Sequence, residues 1–317
     1  MHHGRVSNDS HEQRLARARV ALRGLSVGDA FGERFFFASP QTMVDWIERR
    51  AIDRPGPWRW TDDTAMALAL VETLESNHEL DPDRFSATLV ARWQAEPWRG
   101  YGPGAHRLLD AIREGAPWRE ASRAMFGGQG SFGNGAAMRV APLGAYFADA
   151  TLEHLVEQAE RSAMVTHAHL EGSAGAIAIA LAAQVIWQTR DRGEAEARDA
   201  LWSTLLAHTP KSSTREGLER ARELAGAGVA KAAAQLGNGS EISSQDTVPL
   251  CVWAIAEHPR DFEAALWTTV AARGDRDTTC AIVGGVVALA DAGASIPESW
   301  LARREPLEGI SLADLPV

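Results

Sequence analysis

Two short stretches of the chain place several oxygen donors immediately ahead of apolar, helix-forming sequence. Trp60-Thr61-Asp62-Asp63-Thr64 runs into Ala65-Met66-Ala67-Leu68-Ala69-Leu70, and Gly274-Asp275-Arg276-Asp277-Thr278-Thr279 runs into Cys280-Ala281-Ile282-Val283-Gly284-Gly285. Helix capping accounts for part of this pattern, because Thr61 and Asp275 or Asp277 can accept orphan backbone N–H groups and the other acids suit the positive end of the helix dipole. A cap needs only one such residue, however, and clustered carboxylates repel one another unless a cation compensates. Four carboxylates and two hydroxyls from distant parts of the chain could hold two divalent ions. An all-oxygen donor set points to Mg²⁺, Mn²⁺ or Ca²⁺, and the lack of HExxH or a Cys/His cluster argues against zinc. Such a centre could lower the pKa of a bound water and aim it at a phosphorus or an anomeric carbon.

A third stretch, Gly127-Gly128-Gln129-Gly130-Ser131-Phe132-Gly133-Asn134-Gly135-Ala136-Ala137-Met138-Arg139, contains GxGxxG. It is no Rossmann fingerprint, since it follows predicted helix rather than strand, and no Walker A loop, since no Gly-Lys-Ser/Thr closes it. Repeated glycine nevertheless lets backbone N–H groups approach an anion, with the predicted helix at Ala136–Phe147 starting beside them. A plain turn between helices is the alternative. His167, in Thr166-His167-Ala168-His169, is read as structural on its own, because positions i and i+2 do not share a helix face. Trp58 and Trp60 flank the approach to Thr61 and are expected to pack in the core rather than line a pocket.

The elements that must position these residues are helices. Alanine, leucine, arginine and glutamate recur at helical spacing, whereas alternating β-branched runs with hairpin turns are nearly absent. Helices are expected over 13–31, 41–50, 62–76, 81–94, 103–114, 118–126, 136–147, 152–166, 170–191, 194–207, 214–224, 247–257, 262–273 and 277–292. No Ser/Pro-rich linker and no fixed-period repeat appears. The expected architecture is all-α: residues 13–317 form one compact multi-helix domain behind a loose tail over 1–12.

The 317 residues suffice for a large core without staples, and 45% hydrophobic with 23% charged residues excludes disorder as the dominant state. With 32 Lys and Arg against 42 Asp and Glu, the net charge is −10. That balance disfavours nucleic acid or an anionic membrane as partner, because both need a positive surface. Cys251 and Cys280 are too few for a disulfide scaffold or zinc ribbon. The N-terminus is polar and His-rich instead of carrying an apolar signal segment, so a cytoplasmic location is expected, and a helical domain of this size needs no partner to bury its core, so a monomer is expected. The apolar run Ala174–Trp187 is too short to span a bilayer comfortably and reads as a buried helix.

Taken in order, these stretches resemble the ADP-ribosylglycohydrolase family. The resemblance rests on Gly24-Leu25-Ser26-Val27-Gly28-Asp29-Ala30-Phe31-Gly32, Trp60-Thr61-Asp62-Asp63-Thr64, Gly133-Asn134-Gly135-Ala136-Ala137-Met138-Arg139-Val140-Ala141-Pro142, Thr166-His167 and Gly274-Asp275-Arg276-Asp277-Thr278. It implies an all-α fold with a binuclear magnesium centre that hydrolyses the bond joining ADP-ribose to an acceptor, most often an arginine side chain. Carried over by position, Thr61, Asp62, Asp63, Asp275, Asp277 and Thr278 would be the metal ligands. Ser131, Phe132, Gly133, Asn134, Gly135 and Met138 would hold the phosphates and distal ribose, with His167 beside them. Asp62, Asp63 or Glu33 would accept a proton from the attacking water. The implied partners are ADP-ribose and ADP-ribosylated proteins or small molecules.

The chain departs from the family pattern at two places. Phe36 stands where members commonly carry a glutamate near the metals, leaving Glu33 as the nearest acid, and Arg99-Gly100-Tyr101-Gly102 occupies a loop where some members place an acid. Two other functions therefore stand beside the hydrolase: a non-catalytic ADP-ribose-binding module, and a two-metal hydrolase of another nucleotide or phosphate ester.

Overall fold

The computed structural model describes residues 9–307. Its first helices are α1 (His11–Glu33), α2 (Pro40–Arg49), α3 (Asp62–Ser76), α4 (Pro82–Ala95), α5 (Pro103–Arg113), α6 (Trp118–Gly128), α7 (Gly135–Met138), α8 (Ala141–Tyr146) and α9 (Leu152–Met164). They are followed by α10 (Leu170–Gln188), α11 (Glu194–His208), α12 (Ser213–Glu223), α13 (Val229–Leu236), α14 (Ser244–Glu257), α15 (Phe262–Ala271), α16 (Arg276–Val287) and α17 (Glu298–Arg303). Among the described residues there is no strand, only isolated bridges at Trp58–Arg304 and Gly133–Ser243.

The departures from the expected helices have local causes. α1 begins at His11, two residues early, because Ser10 Oγ accepts from the Gln13 amide at 3.2 Å while Gln13 Oε1 accepts from the Ser10 amide at 2.8 Å. Residues 1–8 of the expected tail, and 308–317 of the expected domain, lie outside the described residues. The single helix expected over 136–147 is two short ones. Pro142 near the start of α8 has no N–H and its ring excludes the carbonyl four residues earlier, so the chain turns at Arg139 and Val140. Regular helix in α6 gives way at Met125, with Phe126 at φ 52° and Gly127 at φ 70°. α13, α17 and a 3₁₀ turn at Arg34–Phe37 are additional elements.

α10 is the central core helix. It is the one described helix long and apolar enough to cross a membrane, yet 83% of its apolar window is buried, with α7, α8, α9, α11 and α14 packed around it. α1 and α16 form the closest helix pair. Gly24, Gly28 and Gly32 on α1 face the carbonyls of Gly284, Cys280 and Arg276, where an added Cβ would lie only 2.3, 2.1 and 2.2 Å from the oxygen. That seam carries Asp29 and Asp277 on the same two backbones. Phe31, Trp58, Trp267 and Trp300 interlock beside it, with Phe31 stacked on Trp300 at 4.5 Å. Full burial of a side chain such as Phe31, Trp58 or Trp267 contributes about 1.5–3 kcal/mol.

Candidate active site

The N-termini of α3 and α16 and the C-terminal part of α1 bring the two acidic stretches together. Asp29, fully buried on α1, anchors the arrangement. Its carboxylate accepts from Thr61 N (2.9 Å), Thr61 Oγ1 (2.9 Å), Thr64 N (3.2 Å) and Thr64 Oγ1 (2.5 Å), fixing the first turn of α3. Thr61 is the N-cap of α3, as expected, and its hydroxyl also lies 3.0 Å from Asp63 Oδ2. Thr278 Oγ1 reaches the same Asp63 oxygen from α16 at 3.4 Å. Asp275 is the N-cap of α16 but makes no side-chain cap bond, so capping does not explain the second stretch.

The electrostatics are those of acids lacking a counterion. Burial, then repulsion from Asp277, raises Asp275 to about 7, and burial, then repulsion from Asp29, raises Asp277 to about 6 and Glu33 to about 7. Asp62 and Asp63 rise well above the usual carboxylate range, first from burial and then from the surrounding aspartates. Asp29 reaches about 6 through burial, against the pull of its four hydrogen bonds. Buried Asp63 Oδ1 and Asp277 Oδ1 have no hydrogen-bond partner. A hard divalent cation fits these orphaned oxygens, because each is a desolvated donor with no proton to accept. Among the described residues, no three His, Cys, Asp or Glu side chains are already drawn close enough to hold an ion. Cation binding would therefore have to offset their mutual repulsion.

The glycine-rich stretch lies against this acidic cluster. Asn134 donates its amide to Asp275 Oδ2 at 2.7 Å and to Thr247 Oγ1 at 3.1 Å. Ser131 Oγ accepts from Gly133 N at 3.2 Å, and the carbonyls of Phe132 and Gly133 accept from Ser244 N and Oγ, both at 3.0 Å. The Phe132 ring lies 5.5 Å from Phe126 and 5.7 Å from His169. His167 packs where Gly135 lacks a side chain, for a Cβ there would meet its ring at 2.9 Å, and buried Met138 lies 3.9 Å from the same point. Burial, then the Arg139 charge, lowers His167 to about 3, leaving a neutral ring whose Nδ1 pairs with Thr166 Oγ1 at 2.7 Å. The expected long helix after the loop is the single turn α7, so little macrodipole is available and the loop's own N–H groups must supply most of any anion binding.

Sequence reasoning placed Asp29 in a motif without giving it a role; its signal was a carboxylate on an otherwise apolar helix segment. It also missed the clamp behind Thr61. The Arg99 guanidinium lies 3.4 Å from the Trp60 ring centroid and donates to the Trp60 carbonyl at 3.1 Å, while Glu305 accepts from Trp60 N at 3.0 Å. Trp58 and Trp60 are core residues, as expected. Glu33 lies at the edge of the acids, whereas Phe36 is 47% exposed beneath the Arg276 guanidinium. Three surface cavities of about 330, 300 and 430 Å³ are lined by other residues.

The comparisons agree with the fold. The chain is 32% identical over 292 residues to an uncharacterised protein of Archaeoglobus fulgidus, covering 89% of this chain and 90% of that protein. It is 28% identical over 340 residues to the ADP-ribosylhydrolase ARH3 of Homo sapiens, covering 95% and 92%. A solved structure described as an ADP-ribosylglycohydrolase-related protein complex superposes with a TM-score of 0.63 at 25% identity, covering 93% of this chain and 94% of that one. The sequence profile of the ADP-ribosylglycohydrolase family matches residues 10–315, and the chain belongs to that family.

Proposed function

We propose that this chain is a magnesium-dependent hydrolase of the glycosidic bond between ADP-ribose and an acceptor on a protein or small molecule. The observation that carries the reading is the pair of acidic helix starts with orphaned oxygens, joined through Asn134 to a glycine loop suited to phosphates. Thr61, Asp62, Asp63, Asp275, Asp277 and Thr278 would hold two Mg²⁺, with Mn²⁺ as a substitute. The ions would supply Lewis acidity toward ribose hydroxyls and a bound water. Asp29 keeps Thr61 and the first turn of α3 in place, and Asn134 orients Asp275.

In hydrolysis the water oxygen bonds to the anomeric carbon as the bond to the acceptor breaks. The acceptor leaves with the bonding pair and takes up a proton, while Asp62, Asp63 or Glu33 accepts the proton that water loses. Phe36 at the rim favours one competing reading, an ADP-ribose-binding module, because it contributes no carboxylate there.

The test is release of ADP-ribose from arginine-, serine- and nucleobase-linked substrates with Mg²⁺ and with EDTA. Magnesium-dependent release from any of them supports the hydrolase. Magnesium-dependent binding of ADP-ribose without release supports the binding module, and phosphate release from nucleotides alone supports a phosphoesterase.

A further inference from the structure

Asp62 opens α3 beside two stretches of backbone. One is the segment 58–61 that leads into the helix. The other is the loop 96–102 between α4 and α5, where Gly100 stands so close that an added Cβ would lie 3.4 Å from Asp62 Oδ1 and 3.8 Å from the Thr61 Cβ. Its φ of 97° is one that glycine adopts without the clash a side chain would bring. Neither stretch belongs to a helix, so other contacts must hold both against the repulsion among Asp62, Asp275 and Asp277.

One carboxylate ties both down. Glu305 Oε1 accepts from Trp60 N at 3.0 Å and pairs with the Arg99 guanidinium, which donates to the Trp60 carbonyl at 3.1 Å and covers the Trp60 ring at 3.4 Å. Glu305 reaches that place because the segment 303–306 after α17 lies alongside 58–60. Trp58 N donates to Arg303 O at 2.7 Å, Glu305 N to Trp58 O at 2.9 Å, and Trp60 Nε1 to Pro306 O at 3.3 Å. Arg99 also pairs with Glu96 of its own loop at 2.7 Å, but Glu305 is the acid that joins this loop to the far end of the chain. With Arg99 13% and Glu305 20% exposed, the pair is better shielded from water than a surface ion pair.

We infer that Glu305, acting through Arg99 and the Trp60 backbone, is a positioning residue for Asp62, so that the segment after α17 is a working part of the acidic site. The inference rests on the proposed magnesium binding by that cluster. Groups that hold metal ligands in place without touching the ion commonly set about tenfold to a hundredfold of the affinity. Charge acting through space has the opposite sign at Arg99. A cation near a magnesium site repels the ion, so removal of the charge alone would tighten binding, whereas removal of an anchor loosens it.

The experiment is isothermal titration of the full chain with Mg²⁺ after treatment with EDTA and its removal. Arg99→Met and Glu305→Ala should each weaken magnesium binding by about tenfold. The double variant should bind no more weakly than either single one, because both break the same link. Glu305→Gln, whose amide oxygen can still accept from Trp60 N, should recover part of the loss. Glu72→Gln is the control for a merely structural effect: it breaks the comparably enclosed Arg92–Glu72 pair further along α3 and should lower the melting temperature while leaving magnesium affinity unchanged. Hydrogen exchange of the wild type decides the matter if the variants do not fold. Magnesium should slow exchange over 58–64 and over 303–306 together, although the second segment holds no proposed ligand. Tighter binding by Arg99→Met, wild-type affinity in both single variants, an equal loss in Glu72→Gln, or exchange at 303–306 indifferent to magnesium overturns the inference and leaves the metal reading standing. A wild type that takes up no magnesium overturns the metal reading itself and the inference with it.

Discussion

Asn134 and Asp275 share a 2.7 Å hydrogen bond between residues 141 positions apart, and through it the glycine loop and the second acidic stretch behave as one unit. The bond runs to a carboxylate, a class worth about 1.5–3 kcal/mol. Asn134→Ala should therefore weaken both Mg²⁺ and ADP-ribose binding, the latter by about tenfold to a hundredfold. Isothermal titration with ADP-ribose, with and without Mg²⁺, checks this. Unchanged affinity for both would show that the loop and the acids act separately.

Asp63 is the buried acid on which hydroxyls from both helix starts converge, Thr61 at 3.0 Å and Thr278 at 3.4 Å. Its other oxygen has no partner. Asp63→Asn removes a like charge from the cluster while keeping its shape. The metal-free variant should melt above the metal-free wild type, by about 2–4 °C. Magnesium should raise the melting temperature of the wild type and leave the variant nearly unmoved, because a ligand stabilises only the state that binds it. Thermal scans with EDTA and with excess Mg²⁺ measure both effects. An equal magnesium shift in the two proteins would remove Asp63 from the ligand set.

The same repulsion sets a pH dependence. Burial first, and neighbouring acids after it, raise Asp275 and Glu33 to about 7 and Asp277 to about 6; burial raises Asp29 to about 6. A carboxyl raised in the folded state binds its proton more tightly there than in the unfolded chain. Its contribution to stability is complete below the unfolded value near 4 and is lost as pH rises through about 6–7. Metal-free protein should thus lose stability between pH 5 and pH 8 as these groups ionise. Saturating magnesium should remove or reverse that loss, since cation and proton compete for the same oxygens. Urea unfolding across this range, with EDTA or Mg²⁺, is the measurement. A pH-independent difference between the two conditions would contradict the competition.

The helices and the acid stretches were legible in the sequence because both signals are local. Helical periodicity located α3 to the residue, and the doubled carboxylates at residues 62–63 and 275–277 exceeded what capping needs. Asp29 and Arg99 were not legible as site residues, since their roles depend on long-range contacts: Asp29 bonds Thr61 and Thr64 more than thirty positions away, and Arg99 grips Trp60. The break after Met138 was legible in principle, for Pro142 sits within the stretch expected to be one helix.

The glycine seam between α1 and α16 makes a last prediction. A Cβ on Gly28 would lie 2.1 Å from the Cys280 carbonyl oxygen, and the obstruction is backbone, which cannot swing aside as a side chain end can. Gly28→Ala must push the two helices apart or strain both, at a cost of about 1–3 kcal/mol or more. The gain in helix propensity, about 1 kcal/mol for Gly to Ala in a helix interior, offsets only part of that. Because Asp29 follows Gly28 and holds Thr61 and Thr64, separation of the helices should also move the α3 acids relative to Asp277. Magnesium affinity should therefore fall along with stability. Gly193→Ser is the control: its Cβ meets nothing within 4 Å, and serine at this helix N-cap is favourable. Chemical denaturation and magnesium titration of both variants test the coupling. A Gly28→Ala protein that is destabilised but binds magnesium like the wild type would show that the seam supports the fold without setting the geometry of the site.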